Sequence, residues 1–197
     1  MIQDFWASIL KADQSLFEHI NGQWTCPFLD SMMPWVRTSE HWFPMYVVLL
    51  GYLFYKWGWK ALKWILAIAI TIGVSDQVSS FFFKPMVHRL RPCADPAMLH
   101  QAKLLIGACP TSFSFTSSHA TNHFALAMFI MMTLQPLLKK YTYLFFVWAG
   151  LISYAQIYVG VHYPLDVLVG TLIGITLGYT FAKLYLKWND KLTISSH

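Results

Sequence analysis

The chain has 197 residues, 56% of them hydrophobic and 17% aromatic, with 12% charged and a formal net charge of +5. That charged fraction is about half the share found in soluble domains, which excludes a water-soluble fold, because a chain of this size cannot hide so much apolar surface. Nor does the basic balance point to nucleic acid, since no basic patch is interleaved with aromatic residues.

The opening stretch, MIQDFWASILKADQSLFEHI, spaces Phe5, Trp6, Ile9, Leu10, Leu16, Phe17 and Ile20 between charges. This is the pattern of a helix lying in a membrane interface. It lacks the basic start, apolar middle and small-residue cleavage site of a secretory signal, so it is read as part of the mature protein. Gly22–Glu40, with Pro27, Pro34 and three aromatics, reads as a lid or collar in the same interface.

Five apolar windows follow: Trp42–Tyr55, Trp64–Phe83, His119–Leu138, Tyr141–Val161 and Leu165–Ala182. Each approaches the length needed to cross a hydrocarbon core about 30 Å thick. The first is short, and Lys56 and Lys60 beyond it must reach out to the headgroups. The expected architecture is all-α: a single integral-membrane domain over 1–197, with about five transmembrane helices and an N-terminal interfacial helix.

With five spans, the side holding the loop after the first window, the turn at Lys139 and Lys140, and the C-terminal tail carries eight lysines and the single acid Asp190. The opposite side carries six basic residues and eight acids, counting Asp76 and Asp166 there. The positive-inside rule puts the lysine-rich side and the C-terminus in the cytoplasm. All three cysteines then lie on the other side, where an oxidising compartment permits disulfides. Cys93 and Cys109 share one long excursion, Lys84–Thr116, and are favoured as partners over Cys26.

Three polar clusters fall on that same side: KPMVHRLRP after the second window, FTSSHATNH opening the third, and YVGVHYPLD between the fourth and fifth. Lys84 and Arg91, seven apart, are expected on one helical face with His88 between them, arranged to hold a phosphate, while Arg89 points away as an interfacial anchor. Thr116, Ser117 and Ser118 are capable N-caps, and a capped helix start attracts anions. His119 in that first turn is placed beside such an anion, and His123, one turn deeper, reads as a packing residue. Pro164 suits the first turn of the fifth span. Asp166 either biases that turn or accepts the Nδ1 proton of His162, leaving Nε2 able to attack phosphorus. Asp76, costly inside a span, is expected to orient a basic group of the site. Together these are the parts of a phosphoryl-transfer site with one histidine as nucleophile and one as acid.

These residues resemble the type 2 phosphatidic acid phosphatase superfamily, which includes bacterial undecaprenyl-pyrophosphate phosphatases. Its first signature, a lysine, six residues and Arg-Pro, is met by Lys84, Arg91 and Pro92. Of its second, Pro-Ser-Gly-His, the serine and histidine match at Ser117 and His119, with Thr116 and Ser118 at the other two positions. Its third is Ser-Arg, five residues, His, three residues, Asp; His162 and Asp166 match, but Ala155 and Gln156 replace the Ser-Arg pair. The resemblance spans roughly 76–170. It implies a helical membrane core with its site at the outer leaflet of a bacterial inner membrane, facing the periplasm. It also implies His162 as nucleophile, Asp166 as its orienting partner, His119 as acid, and Lys84, Arg91, Ser117, Ser118 and Gln156 around the phosphate.

The implied activity is metal-independent, cofactor-free hydrolysis of a lipid phosphate through a phosphohistidine. The substrate candidates are a polyprenyl diphosphate, phosphatidylglycerol phosphate, phosphatidic acid and a lipid A phosphate. Gln156 lowers the expected charge at the phosphate, so Gln156→Arg is expected to be tolerated or beneficial. Gln156 also keeps open a noncatalytic lipid-phosphate binder. A metal hydrolase built on His119, His123 and His162 is the third reading, opposed by the scarcity of carboxylates near them. The sequence carries no signal for oligomeric state.

Overall fold

The structure is a computed structural model and describes residues 2–98 and 101–194, leaving Leu99 and His100 of the long excursion outside the described residues. Among the described residues eight α-helices follow in chain order: α1 Ile2–Glu18, α2 Pro27–Val36, α3 Phe43–Trp57, α4 Ala61–Gln77, α5 Lys84–Val87, α6 Ser118–Leu138, α7 Tyr143–Tyr158 and α8 Pro164–Ile194. Among the described residues there is no β-strand. The five apolar windows correspond to α3, to α4 with its wide-turn continuation Val78–Phe83, and to α6, α7 and α8.

The helix ends are set by local chemistry. Gly58 takes a positive φ of 53° after α3, a conformation that stops the helix. Ser117 caps α6, its hydroxyl accepting from the Ala120 N–H at 3.4 Å. Pro164 opens α8, where its missing N–H costs nothing. The fourth window runs to Val161, but α7 stops at Tyr158, because Gly160 (φ 87°) turns the chain and a Cβ there would sit 2.6 Å from the Lys103 carbonyl oxygen.

Helix α6 is the centre of the bundle, packed against α4, α7 and α8. Its contact with α8 is backbone to backbone: a Cβ on Gly170, Gly174 or Gly178 would lie 2.8, 2.3 or 2.4 Å from the carbonyl oxygens of Ser117, Thr121 and Ala125. Small residues four apart let membrane helices approach this closely. The core around α6 holds Trp64, Phe129, Leu134, Ile152 and Tyr158, all essentially without exposure.

The outer surface is apolar. Val48, Phe81 and Val147 are 72%, 71% and 68% exposed, an arrangement that suits lipid rather than water. Two described stretches, Ser39–Ala94 and Pro164–Asn189, are long and apolar enough to cross a membrane by length and composition.

The N-terminal segments fold over one end of this bundle. Phe17 of α1 is buried with its ring 5.4 Å from that of Tyr163, while Phe5 and Trp6 stay 61% and 56% exposed. Asn21 ties three segments together: its Nδ2 donates to the carbonyls of Lys103 and Tyr158, and its Oδ1 accepts the Lys103 N–H at 2.6 Å. Asp30 of α2 pairs with Lys103 Nζ at 2.6 Å and accepts the Tyr158 hydroxyl at 2.9 Å. Cys93 and Cys109 are joined by a disulfide within the excursion, and Cys26 is free and exposed.

Candidate active site

Helix α5 is a single turn, which corrects the expectation that Lys84 and Arg91 share a helical face. Pro85 cannot donate to the turn before it, and that turn widens over Val78–Phe83. His88 then adopts a left-handed φ of 51° and gives its N–H to the Lys84 carbonyl at 3.1 Å, ending the helix. Arg91, restricted by the following Pro92, is extended at φ −76° and ψ 153°. The reversal turns Arg91 back toward Lys84, so both line one cavity by a route other than helical periodicity. His88 is left exposed with its ring 4.7 Å from that of Phe113, away from that cavity.

Arg89 is not an interfacial anchor. Its Nη1 donates to Asp166 Oδ1 at 2.7 Å and its Nη2 to Asp13 Oδ2 at 2.5 Å, while its guanidinium lies 3.9 Å from the centre of the Tyr163 ring. Asp13 in turn accepts the Leu165 N–H at 2.7 Å, so α1 is fastened to the first turn of α8. Burial raises the Asp13 carboxyl pKa, against the lowering effect of Arg89.

The cavity encloses about 220 Å³. Lys84, Arg91, Ser118, His119, Gln156 and His162 all line it, and so do Arg37, Pro110 and Ser112. Lys84 is 8% exposed, and no hydrogen bond or ion pair engages its Nζ among the described residues. Arg91 is held tightly: Nε donates to the Ser112 carbonyl at 2.7 Å, Nη2 to the Ser112 hydroxyl at 3.0 Å, and Nη1 to the Val161 carbonyl at 3.0 Å.

Arg91 Nη1 also lies 3.1 Å from His162 Nε2. A guanidinium can only donate, so this contact makes Nε2 the acceptor and leaves the ring proton on Nδ1. Nδ1 faces the Ser114 hydroxyl at 3.4 Å and Asp166 Oδ2 at 3.6 Å. The same Oδ2 accepts from Ser114 at 2.5 Å and from the Tyr163 N–H at 2.9 Å. The Asp166 carboxylate is therefore saturated by fixed donors and orients the imidazole jointly with Ser114. Burial pushes His162 down to about 4, with Asp166 opposing and Arg91 reinforcing the shift, so the ring is neutral at physiological pH.

Ser117 and Ser118 divide the work at the start of α6. Ser117 is fully buried as the cap and gives its N–H to the Asp166 carbonyl oxygen at 3.1 Å. Ser118 lines the cavity, with its hydroxyl 2.9 Å from that of Ser79 and 3.2 Å from that of Ser80. His123 lies outside the cavity, its Nδ1 2.8 Å from the His119 carbonyl oxygen and its ring stacked on His119 at 6.1 Å. Asp76 accepts from Asn122 Nδ2 at 3.1 Å and ion-pairs with no base among the described residues, so its direct partner is an amide rather than a cation.

Arg37, Asp13, Ser112 and Ser114 escaped the sequence reading. The first two come from segments remote along the chain, with no motif around them. Ser112 and Ser114 sit in a loop whose path no periodicity describes.

The PAP2 superfamily pattern matches residues 60–190. The chain belongs to the PAP2 superfamily. It is 32% identical over 179 residues to the lipid A 4'-phosphatase of Porphyromonas gingivalis, covering 90% of this chain and 75% of that one. It is 36% identical over 172 residues to the lipid A 4'-phosphatase of Bacteroides thetaiotaomicron, covering 86% and 75%. A transmembrane PAP2 type phosphatidylglycerolphosphate phosphatase from Bacillus subtilis superposes with a TM-score of 0.64 at 23% identity, covering 91% of this chain and 87% of that one. The PAP2 fold of a membrane phosphatase is thus the fold of this chain.

Proposed function

We propose that this PAP2 protein is a metal-independent lipid phosphatase that removes a phosphate from a lipid A type headgroup through a phosphohistidine at His162. The observation that carries the reading is the Arg91 contact to His162 Nε2, which fixes the tautomer with its lone pair on Nε2, against the Arg91 guanidinium, and both side chains line the cavity. A bound phosphate oxygen competes for the same Arg91 Nη1, and that exchange frees the lone pair for attack.

Nε2 then forms a bond to phosphorus as the ester P–O bond breaks, and His119 gives a proton to the departing alkoxide. Water next attacks phosphorus, surrendering a proton to His119, and the P–N bond breaks to release inorganic phosphate. Lys84 and Arg91 offset charge on the oxygens throughout. Asp166, held by Ser114, the Tyr163 N–H and Arg89, steadies the positive charge that develops on His162.

A cavity of about 220 Å³ suits one phosphate with the bulk of a headgroup outside. The names of the two lipid A 4'-phosphatase relatives support a sugar-borne monophosphate, with phosphatidylglycerol phosphate as runner-up. The lysine-rich side supports a cytoplasmic C-terminus and a site at the outer face of the bacterial inner membrane.

The test is phosphate release by purified protein from lipid A, phosphatidylglycerol phosphate, phosphatidic acid and undecaprenyl diphosphate, with and without EDTA. The expected result is EDTA-resistant release, fastest from lipid A and abolished by His162→Ala. Loss with EDTA that added metal restores contradicts the phosphohistidine route.

A further inference from the structure

Arg37 stands just after α2, outside the 60–190 segment matched by the PAP2 pattern, yet its side chain lines the phosphate cavity beside Lys84, Arg91 and His119. Its Nε and Nη2 both lie 3.3 Å from Gln156 Oε1. These are long bonds to a neutral amide, enough to aim a guanidinium but weak beside charge-assisted ones. Among the described residues no carboxylate lies within ion-pair distance of Arg37, so a partly buried cation carries an unspent charge into the cavity. Gln156 adds a second sign of a missing anion. It is fully buried in the cavity wall, and its Nε2 donor has no acceptor among the described residues.

We infer that Arg37 is the third cationic ligand of the substrate phosphate, delivered from the N-terminal collar, and that Gln156 is the positioning residue that holds it there. Gln156 occupies the position at which the third signature has an arginine. An amide at that point accepts a guanidinium from across the cavity, so the charge is relocated rather than lost. This reverses one expectation: in the presence of Arg37, Gln156→Arg sets two guanidiniums against each other and lowers activity. The inference rests on the phosphatase reading for its rate arm but not for its binding arm.

The test measures lipid A phosphate release and the affinity for inorganic phosphate, followed by 31P NMR, in four proteins: wild type, Arg37→Ala, Gln156→Arg and the double variant, with thermal unfolding as a check on folding. Arg37→Ala is expected to lower kcat/KM by about 100-fold, the scale of losing one transition-state donor, and to weaken phosphate binding. Free guanidinium should partly restore Arg37→Ala, and the double variant should exceed either single one, which loss of structure does not produce. Should Arg37→Ala fail to fold, Arg37→Gln carries the same comparison. If no lipid phosphate is hydrolysed by wild type, the phosphatase reading fails while phosphate affinity still judges Arg37. Kinetics and phosphate affinity within about twofold of wild type in a folded Arg37 variant, or no gain in the double variant, overturns the assignment.

Discussion

Ser117 donates its backbone N–H to the backbone carbonyl of Asp166 at 3.1 Å, so the helix carrying His119 is stitched to the turn of α8 that orients His162. Just below, Gly170 and Gly174 bring the same two helices to backbone contact. The separation between His119 and His162 is therefore set by main-chain packing rather than by flexible side chains.

Gly174→Val tests that coupling. Its Cβ would fall 2.3 Å from the Thr121 carbonyl oxygen, and only a helix shift relieves the clash. Overpacking of this kind costs about 1–3 kcal/mol or more, so thermal unfolding in detergent should drop, and kcat should fall more than KM rises. Gly22→Val, where a Cβ meets nothing within 4 Å, is the control and should be near neutral.

Arg89→Ala should be among the most damaging changes outside the cavity. It leaves Asp13 and Asp166, with side chains 5% and 0% exposed, without their shared cation. Removing one partner from a buried charge network costs about 3–5 kcal/mol. Chemical denaturation should show the loss, and Arg89→Lys should recover only part of it, since one ammonium cannot serve both carboxylates in the same geometry.

The acid limb of the rate profile should report His162. Its reactive form is unprotonated, so kcat/KM should be flat on the acid side of neutrality and fall as pH drops through about 4. The folded pKa lies below the ordinary 6.5, so the unfolded chain takes up more protons between those values, and His162 should erode stability as pH falls from about 6.5 to about 4. A pH series of activity and unfolding on wild type checks both, and an acid limb near 6.5 contradicts the buried, Arg91-held ring.

The bundle and the three polar clusters are legible in the sequence because their signals are local: long apolar windows, a capped helix start, a proline opening a helix. The glycine triplet on α8 was equally local, but hydropathy counts glycine as neutral and passes over it. The seven-residue spacing of Lys84 and Arg91 suggests one helical face, but Pro92 favours extended backbone at Arg91, and the proline prevails. Arg37 and Asp13 had no such marker. Arg37 meets Gln156, 119 positions further along the chain, and Asp13 meets Arg89, 76 positions further, through the fold-back held by Asn21 and Asp30. Only tertiary packing reveals them.

The central claim is that His162 takes the phosphate onto Nε2. Rapid quenching of wild type with lipid A carrying a radiolabelled phosphate tests it most directly. The account predicts an acid-labile, alkali-stable label on His162, absent in His162→Ala and slower both to form and to decay in His119→Ala. Turnover without any labelled protein, or a label that persists in His162→Ala, contradicts it.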